Sequence, residues 1–349
     1  MARLLPNDMK MNQLTCRWLL LTLVPLGPLV ARAWDYETHR LINQLALASL
    51  PTNFPSFVTT PEAVERIGFL AGEADRWRNT PDLALRHCNN PDHYFDMEEL
   101  AIYGLEPDSL PVFRYDFVAQ LALFRKANPE KFPKVDASKN QDHTQELVGL
   151  LPWSIVEGYS KVKSGYSYLR AYQEHGGTAE EIAIAQANII YVMGVMGHWV
   201  GDAAQPLHTT IHHHGWVGEN PNEYSTNRNI HSWIDGGFFG KTGQPTFGEM
   251  KPRLRSARLV ARAGEPIAPA EMFRAAVDFI RRHHAQVETL YRLEKEKKLG
   301  SKREATKEGR AFMEDQVLQA AQFLGDMWFS AWQQAPPDKF LIDRLNERK

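Results

Sequence analysis

Residues 178–208 read TAEEIAIAQANIIYVMGVMGHWVGDAAQPLH. The segment opens on a capping box, because Thr178 and Glu181 have the residue types and spacing that satisfy free amides at a helix start. Residues 182–204 are so apolar that we expect a helix buried on all sides, and Pro206 ends it. A long buried helix in the middle of the chain predicts a helical protein packed around it.

Helical periodicity extends outward from this segment in both directions. Apolar residues recur at intervals of three and four in five further stretches, which we predict as helices: 38–50, 61–77, 146–172 with Pro152 as a candidate kink, 269–297 and 306–335. Residues 98–139 and 236–268 are rich in Pro, Gly and charge and predict loops with short helices. Alternating β-branched runs are nearly absent, so we expect a single all-α domain over residues 34–349.

The first 33 residues have the organisation of an export signal. Three basic residues precede an apolar run at 18–30 that ends in Ala31-Arg32-Ala33, and these are the parts of a secretory signal peptide. Cleavage after Ala33 would make Trp34 the N-terminus of a secreted or periplasmic protein. Cys16 would leave with the signal, so Cys88 would have no internal disulfide partner. A formal net charge of −2 also argues against a non-specific binder of duplex DNA.

Histidines and aspartates recur at a spacing that can carry chemistry. His198 and Asp202 are four residues apart and therefore share one face of the apolar helix. His231 and Asp235 repeat that spacing. A lone His or Asp in a helical protein is more often an ordinary surface or core group, but two such pairs favour a functional site. Further candidates lie elsewhere in the chain: His39, Asp75, His93 and His208.

Bound metal would explain why such groups converge in a helical core. A buried ionised carboxylate without a cation costs several kcal/mol. Imidazole and carboxylate ligands without cysteine suit zinc in open, catalytic sites better than in closed structural ones. We therefore expect a catalytic zinc site.

The order of these residues resembles the S1/P1 nuclease and zinc-dependent phospholipase C superfamily, from Trp34 to Asp235. The resemblance implies a phospholipase C/P1 nuclease-like fold with three Zn²⁺ ions per chain. It assigns one zinc to Asp75, His93, His198 and Asp202. A second zinc would be held by His39, Asp202 and the free amine and carbonyl of Trp34. The third would be held by His208, His231 and Asp235.

The implied reaction is hydrolysis of a phosphodiester. A hydroxide that bridges the paired zincs would attack phosphorus, with Asp75 as ligand and catalytic residue that orients it. Only a processed N-terminus offers a free amine beside its own carbonyl, so unprocessed protein should be inactive.

The nuclease branch is the favoured expectation. Three details favour it: the short gap from Trp34 to His39, the long gap from His208 to His231, and Asp rather than Glu at position 235. The predicted substrate is single-stranded DNA or RNA, or nucleotides, with 5′-phosphorylated products. Tyr94 would stack on a base and Asp96 would bind its polar edge, although core packing of Tyr94 is an equal alternative.

Other functions stay open. The alternative enzyme is a phospholipase C-type hydrolase of phospholipid head groups, and a sugar-phosphate or nucleotide phosphatase is a smaller one. A metal-binding protein without catalysis is the alternative from another class. We expect a monomer with no obligate protein partner.

One stretch departs from the nuclease pattern. The Gly-Gly-Asn run common in those nucleases is missing, and residues 211–215 read IHHHG instead. Three consecutive side chains cannot all face one site, so we expect His212–His214 to lie in a solvated loop.

Overall fold

The computed structural model describes residues 34–260, 268–300 and 304–348. Over these residues the chain is helical and contains no β-strand, which confirms the all-α class. The predicted signal peptide, 1–33, lies outside the described residues. The helices are α1 (Tyr36–Ser49), α2 (Pro61–Leu70), α3 (Glu73–Arg78), α4 (Leu83–Asn89), α5 (Arg114–Ala127), α6 (Leu151–His175), α7 (Ala179–Ala203), α8 (Ile230–Ser232), α9 (Phe238–Thr242), α10 (Phe247–Met250), α11 (Pro269–His284), α12 (Val287–Lys295), α13 (Lys307–Gln333) and α14 (Lys339–Asn346).

Helix α7 lies at the centre of the bundle. It packs along α6 and also contacts α1, α2 and α13. Its start is the predicted capping box: Glu181 donates its amide to the Thr178 hydroxyl at 3.1 Å, and Thr178 donates its amide to the Glu181 carboxylate at 2.9 Å. Burial on all sides was wrong for its first half, where Ile184 is 54% and Tyr191 38% exposed. Neighbouring helices enclose only its second half, from Met193 onward.

By length and mean hydropathy, α7 could cross a membrane. Half of its most apolar window is nevertheless buried inside the protein. A core helix of a soluble protein passes the same test, and the buried His198 and Asp202 on this helix face other protein groups. We therefore describe α7 as a core helix.

Two predicted helices are each divided in two. The predicted helix at 61–77 becomes α2 and α3, because the chain turns at Ala71 and Gly72. That turn frees the Ala71 carbonyl, which accepts a hydrogen bond from His198 Nδ1 at 2.7 Å. The predicted helix at 269–297 becomes α11 and α12, and His284 at the end of α11 contacts the Thr209 carbonyl through Nδ1 at 2.9 Å.

Two further expectations were wrong in detail. Pro152 does not kink α6, because that helix begins at Leu151 and the proline occupies its first turn, where no amide donor is needed. Residues 98–139, expected as loops with short helices, contain the 14-residue helix α5. Phe117 and Leu121 are its only fully buried residues, so its amphipathic pattern is weak in the sequence.

Candidate metal centre

Separate elements deliver the predicted ligands to one end of α7. That helix supplies His198 and Asp202 from its last, buried turns. Two short 3₁₀ turns, each with a proline in its first two positions, supply His93 (Asn90–His93) and His208 (Pro206–His208). Segments elsewhere supply the rest: His39 from α1, Asp75 from α3, His231 from α8 and Asp235 from the π-helical turn Trp233–Gly237.

The first cluster surrounds His93. Its Nδ1 lies 2.9 Å from Asp202 Oδ2 and 3.0 Å from His198 Nε2. Asp75 Oδ1 lies 3.9 Å from His93 Nδ1 and 3.8 Å from His198 Nε2. The four side chains proposed to share one zinc therefore point their polar atoms at one small volume.

The second cluster lies on the other side of Asp202. His39 Nε2 is 3.4 Å from Asp202 Oδ1, and the His39 ring stacks on the His198 ring at 4.0 Å between centroids. Gly201 permits this approach, because a Cβ there would lie 2.6 Å from His39 Nδ1. Trp34 is fully buried next to this cluster, and its indole donates to the Gly201 carbonyl at 3.1 Å.

The third cluster contains His208, His231 and Asp235. The two imidazoles face each other, with 3.0 Å between their Nε2 atoms. Asp235 Oδ2 lies 2.9 Å from His231 Nε2 and 3.8 Å from His208 Nε2. The histidine and aspartate side chains of the three predicted groups are thus brought together, and the indole of Trp34 lies beside the second group. The sequence had assigned these groups on a resemblance alone.

The donor set fits metal cations. His198 Nδ1 donates to the Ala71 carbonyl and His208 Nδ1 to the His93 carbonyl, each at 2.7 Å. A neutral ring held in this way presents an Nε2 lone pair to the cluster, as metal-bound histidines do. Several buried atoms of these side chains form no hydrogen bond among the described residues: both ring nitrogens of His39, Asp75 Oδ1, His93 Nε2, Asp202 Oδ1 and Asp235 Oδ2. Two of these oxygens have a basic neighbour instead, since Arg78 Nε lies 3.2 Å from Asp75 Oδ1 and His231 Nε2 lies 2.9 Å from Asp235 Oδ2. Lone pairs and carboxylate oxygens repel each other at these distances unless a proton or a metal cation lies between them.

Electrostatics within the clusters keep the carboxylates ionised. Burial alone would raise the pKa of Asp202, but the imidazoles of His198 and His208 outweigh it and hold that pKa well below its usual range. Burial by itself would lower the pKa of His208. The carboxylates of Asp202 and Asp235 outweigh this effect and raise that pKa to about 9. Burial dominates at His93 and lowers its pKa to about 4. Retained negative charge among buried rings is what a cation site requires.

An open cleft of about 570 Å³ leads to the third cluster. His208 and His231 line it, together with Tyr94 and Asp96, the two residues predicted to bind substrate. Burial, and then the nearby Glu99, raise the pKa of Asp96 well above its usual range. A carboxyl kept neutral in this way can donate a hydrogen bond.

Arg78 is a cleft residue that the sequence reasoning missed. It lines the cleft, and its Nε lies 3.2 Å from Asp75 Oδ1. Its position three residues after Asp75 on α3 places both side chains on one helix face, and that spacing was the available signal. A guanidinium at this position can bind phosphate oxygens.

The expectation of a solvated loop for His212–His214 was wrong. The three residues form a 3₁₀ turn in which His212 is buried and stacks on Trp216 at 3.9 Å between ring centroids. His213 and His214 instead line the cleft. The single turn divides the three side chains between the core and the cleft, which the sequence reasoning did not consider.

The fold and site thus define an all-α protein with buried His/Asp clusters that could hold metal ions. No family model matches the chain, and no curated protein matches it significantly. Among solved structures, the chain is similar to the alpha-toxin of an avian strain of Clostridium perfringens, with a TM-score of 0.40 and 13% sequence identity. The match covers 87% of this chain and 65% of the toxin chain. A likeness this weak carries no argument about function, and it gives the nuclease branch no support.

Proposed function

We propose that this protein is an exported, zinc-dependent phosphodiester hydrolase. One observation carries the proposal: buried histidine and aspartate atoms that form no hydrogen bond among the described residues converge in three clusters, and one of these lies at the wall of an open, polar cleft. The proposed ligands are Asp75, His93, His198 and Asp202 for one zinc, Trp34, His39 and Asp202 for a second, and His208, His231 and Asp235 for the third.

Zinc ions in these clusters would lower the pKa of a water molecule and neutralise charge on the phosphate. The protein's own groups complement that chemistry. Asp75, held by Arg78 at 3.2 Å, would orient the attacking water through a carboxylate oxygen. Arg78 would donate hydrogen bonds to the phosphoryl oxygens and stabilise the negative charge that develops on them.

Single-stranded nucleic acid is the first substrate class we propose. Tyr94 lines the cleft, and its hydroxyl donates to the Leu147 carbonyl at 3.3 Å. A ring fixed in this way could stack on an unpaired base, and Asp96 next to it could bind the base edge. Products would carry 5′-phosphates.

Phospholipid is the second candidate, and one observation favours it. Helix α4 buries none of its residues, and its Leu83 and Leu85 are 43% and 38% exposed. The helix ends next to Asn90, which lines the cleft. Exposed leucines on a helix that ends beside a cleft are a feature that an enzyme acting on a lipid surface would use.

The deciding experiment uses mature protein beginning at Trp34, purified with zinc. Release of acid-soluble nucleotide from single-stranded DNA is measured beside release of head group from phosphatidylcholine vesicles, with and without EDTA. We expect EDTA-sensitive turnover of one substrate and a loss of roughly 10²–10⁴-fold in Asp75→Asn. The matched control is Asp116→Asn, at an exposed position on α5. Zinc-loaded protein that hydrolyses neither substrate would refute the proposed substrate classes.

A further inference from the structure

Hydrogen bonds from neighbouring segments hold the turn Ile211–His214 on the side away from the cleft. Glu98 accepts hydrogen bonds from the Thr210 hydroxyl and from the Ile211 amide, the latter at 3.1 Å. The Tyr291 hydroxyl donates to the His212 carbonyl, and the Val217 amide donates to His212 Nδ1 at 3.0 Å. These contacts from three separate segments hold the turn in a defined position.

Gly215 fixes where the turn ends. Its φ of +96° is a conformation that residues with a side chain rarely adopt, and a Cβ there would lie 2.6 Å from the Thr226 main chain. The direction of His213 and His214, which come just before it, is therefore set by the backbone.

The imidazoles of His213 and His214 line the cleft. His213 Nδ1 donates to the Thr210 carbonyl at 3.1 Å, so the Nε2 of a neutral ring is a hydrogen-bond acceptor. Among the described residues, nothing hydrogen-bonds that Nε2. His214 Nδ1 is buried and likewise has no partner among them.

We propose that His213 and His214 form the subsite for the organic part of the substrate, and that this part carries hydroxyl or amino groups that donate hydrogen bonds. The inference rests on the proposed function, because it assumes that a phosphate ester occupies the cleft. An acceptor at His213 would repel phosphate oxygens, whereas the guanidinium of Arg78 in the same cleft would attract them. The phosphate therefore belongs beside Arg78, and the organic group beside the two histidines.

Two sources share this chemistry. A nucleoside offers sugar hydroxyls and base amino groups, and a polyol head group of a lipid offers hydroxyls. A choline head group has no hydrogen-bond donor and would leave the two imidazoles unpartnered, at a cost in affinity. The subsite should therefore bind phosphate esters whose organic group has hydrogen-bond donors more tightly than esters whose organic group has none.

The test measures binding by calorimetry to mature, zinc-loaded protein. The probes are thymidine 5′-monophosphate, myo-inositol 1-phosphate and phosphocholine, so the first two distinguish the sources. His213→Asn retains a donor for the Thr210 carbonyl and removes the Nε2 acceptor. His213→Gln keeps an amide at the Nε2 position, and His175→Asn, at the end of α6, is the histidine control.

We expect His213→Asn to weaken binding of at least one donor-bearing probe by roughly tenfold, while phosphocholine changes by less than about twofold. His213→Gln should recover part of the loss, and zinc content and circular dichroism should match the wild type. An equal change for all three probes, or no change for any, would overturn the inference. Selective loss of binding in a protein that hydrolyses neither DNA nor phosphatidylcholine would refute the proposed function and leave this inference standing.

Discussion

The indole of Trp34 donates a hydrogen bond to the main-chain carbonyl of Gly201, at 3.1 Å. Gly201 precedes Asp202, and the amide of Asp35, the residue after Trp34, donates to the Asp235 carbonyl at 3.0 Å. Trp34 and Asp35 are thereby held close to two proposed ligands, Asp202 and Asp235. If the chain is cleaved after Ala33, as we propose, the new amine of Trp34 would complete the cluster of His39 and Asp202.

Processing should therefore control metal content. We expect protein that begins at Trp34 to bind three zinc ions, and protein that retains Ala33 to bind two and lose at least about tenfold in activity, because an amide nitrogen is a poor ligand. Native mass spectrometry counts the ions. Adding one alanine after Lys349 is the control, and equal zinc content in both N-terminal forms would contradict the prediction.

Single ligand changes should remove different numbers of ions. Asp202 faces both the His93 and the His39 clusters, so Asp202→Asn should lose two zinc ions. His231→Ala affects the His208 cluster alone and should lose one. Metal analysis after gel filtration measures the difference, and loss of the same number in both variants would argue against a shared Asp202.

Gly201→Ala should displace His39, because the new Cβ would meet its ring at 2.6 Å. We expect zinc affinity to fall by roughly 10–100-fold, as for other changes that reorient a ligand. Competition with a fluorescent chelator measures this affinity. Gly248→Ala is a matched control with no atom within 4 Å of the added Cβ, and equal affinities in the two variants would be the contrary result.

Arg78→Ala should lower kcat/KM by roughly 10²–10³-fold if the guanidinium stabilises charge on the phosphate. Arg78→Lys keeps the positive charge but not the forked donor geometry and should recover only part of the activity. Arg76→Ala, on the same helix and paired with Glu73, is the control. Steady-state kinetics with zinc content measured in parallel would expose a loss that comes from metal alone.

Acid should destabilise the protein partly through His283. Burial lowers its pKa from 6.5 to about 4, although Nδ1 is bonded to Gln316 Oε1 at 2.7 Å. A histidine with a lowered pKa contributes stability that is complete above pH 6.5 and is lost as the pH falls toward 4, because the unfolded chain binds the proton first. The loss amounts to about 3 kcal/mol.

The variant His283→Asn keeps a donor for Gln316 without a titrating ring. Between pH 7 and pH 4, the free energy of unfolding of this variant should fall by about 3 kcal/mol less than that of the wild type. Urea denaturation at several pH values measures the difference. His175→Asn should stay parallel to the wild type, and a constant gap between wild type and His283→Asn would refute this assignment.

Local patterns in the sequence predicted much of the architecture. The capping box at Thr178 and the spacing of His198 and Asp202 depend only on neighbouring residues, and both have the predicted geometry. Helix ends were less predictable where a main-chain group at the end of the helix hydrogen-bonds to a residue far away in the sequence. Ala71, for example, leaves its helix and accepts a hydrogen bond from His198, 127 residues away.

The sequence by itself determined the helical class, because periodicity at 3.6 residues is a local property, and it offered the ligand types that suit zinc. Only the tertiary structure decided the places of the histidines that the resemblance left unassigned. His212 lies in the core while its neighbours His213 and His214 line the cleft, because Glu98, Trp216 and Tyr291 orient that turn from outside it. Contacts between residues far apart in the chain make this choice, and no single stretch of sequence contains them.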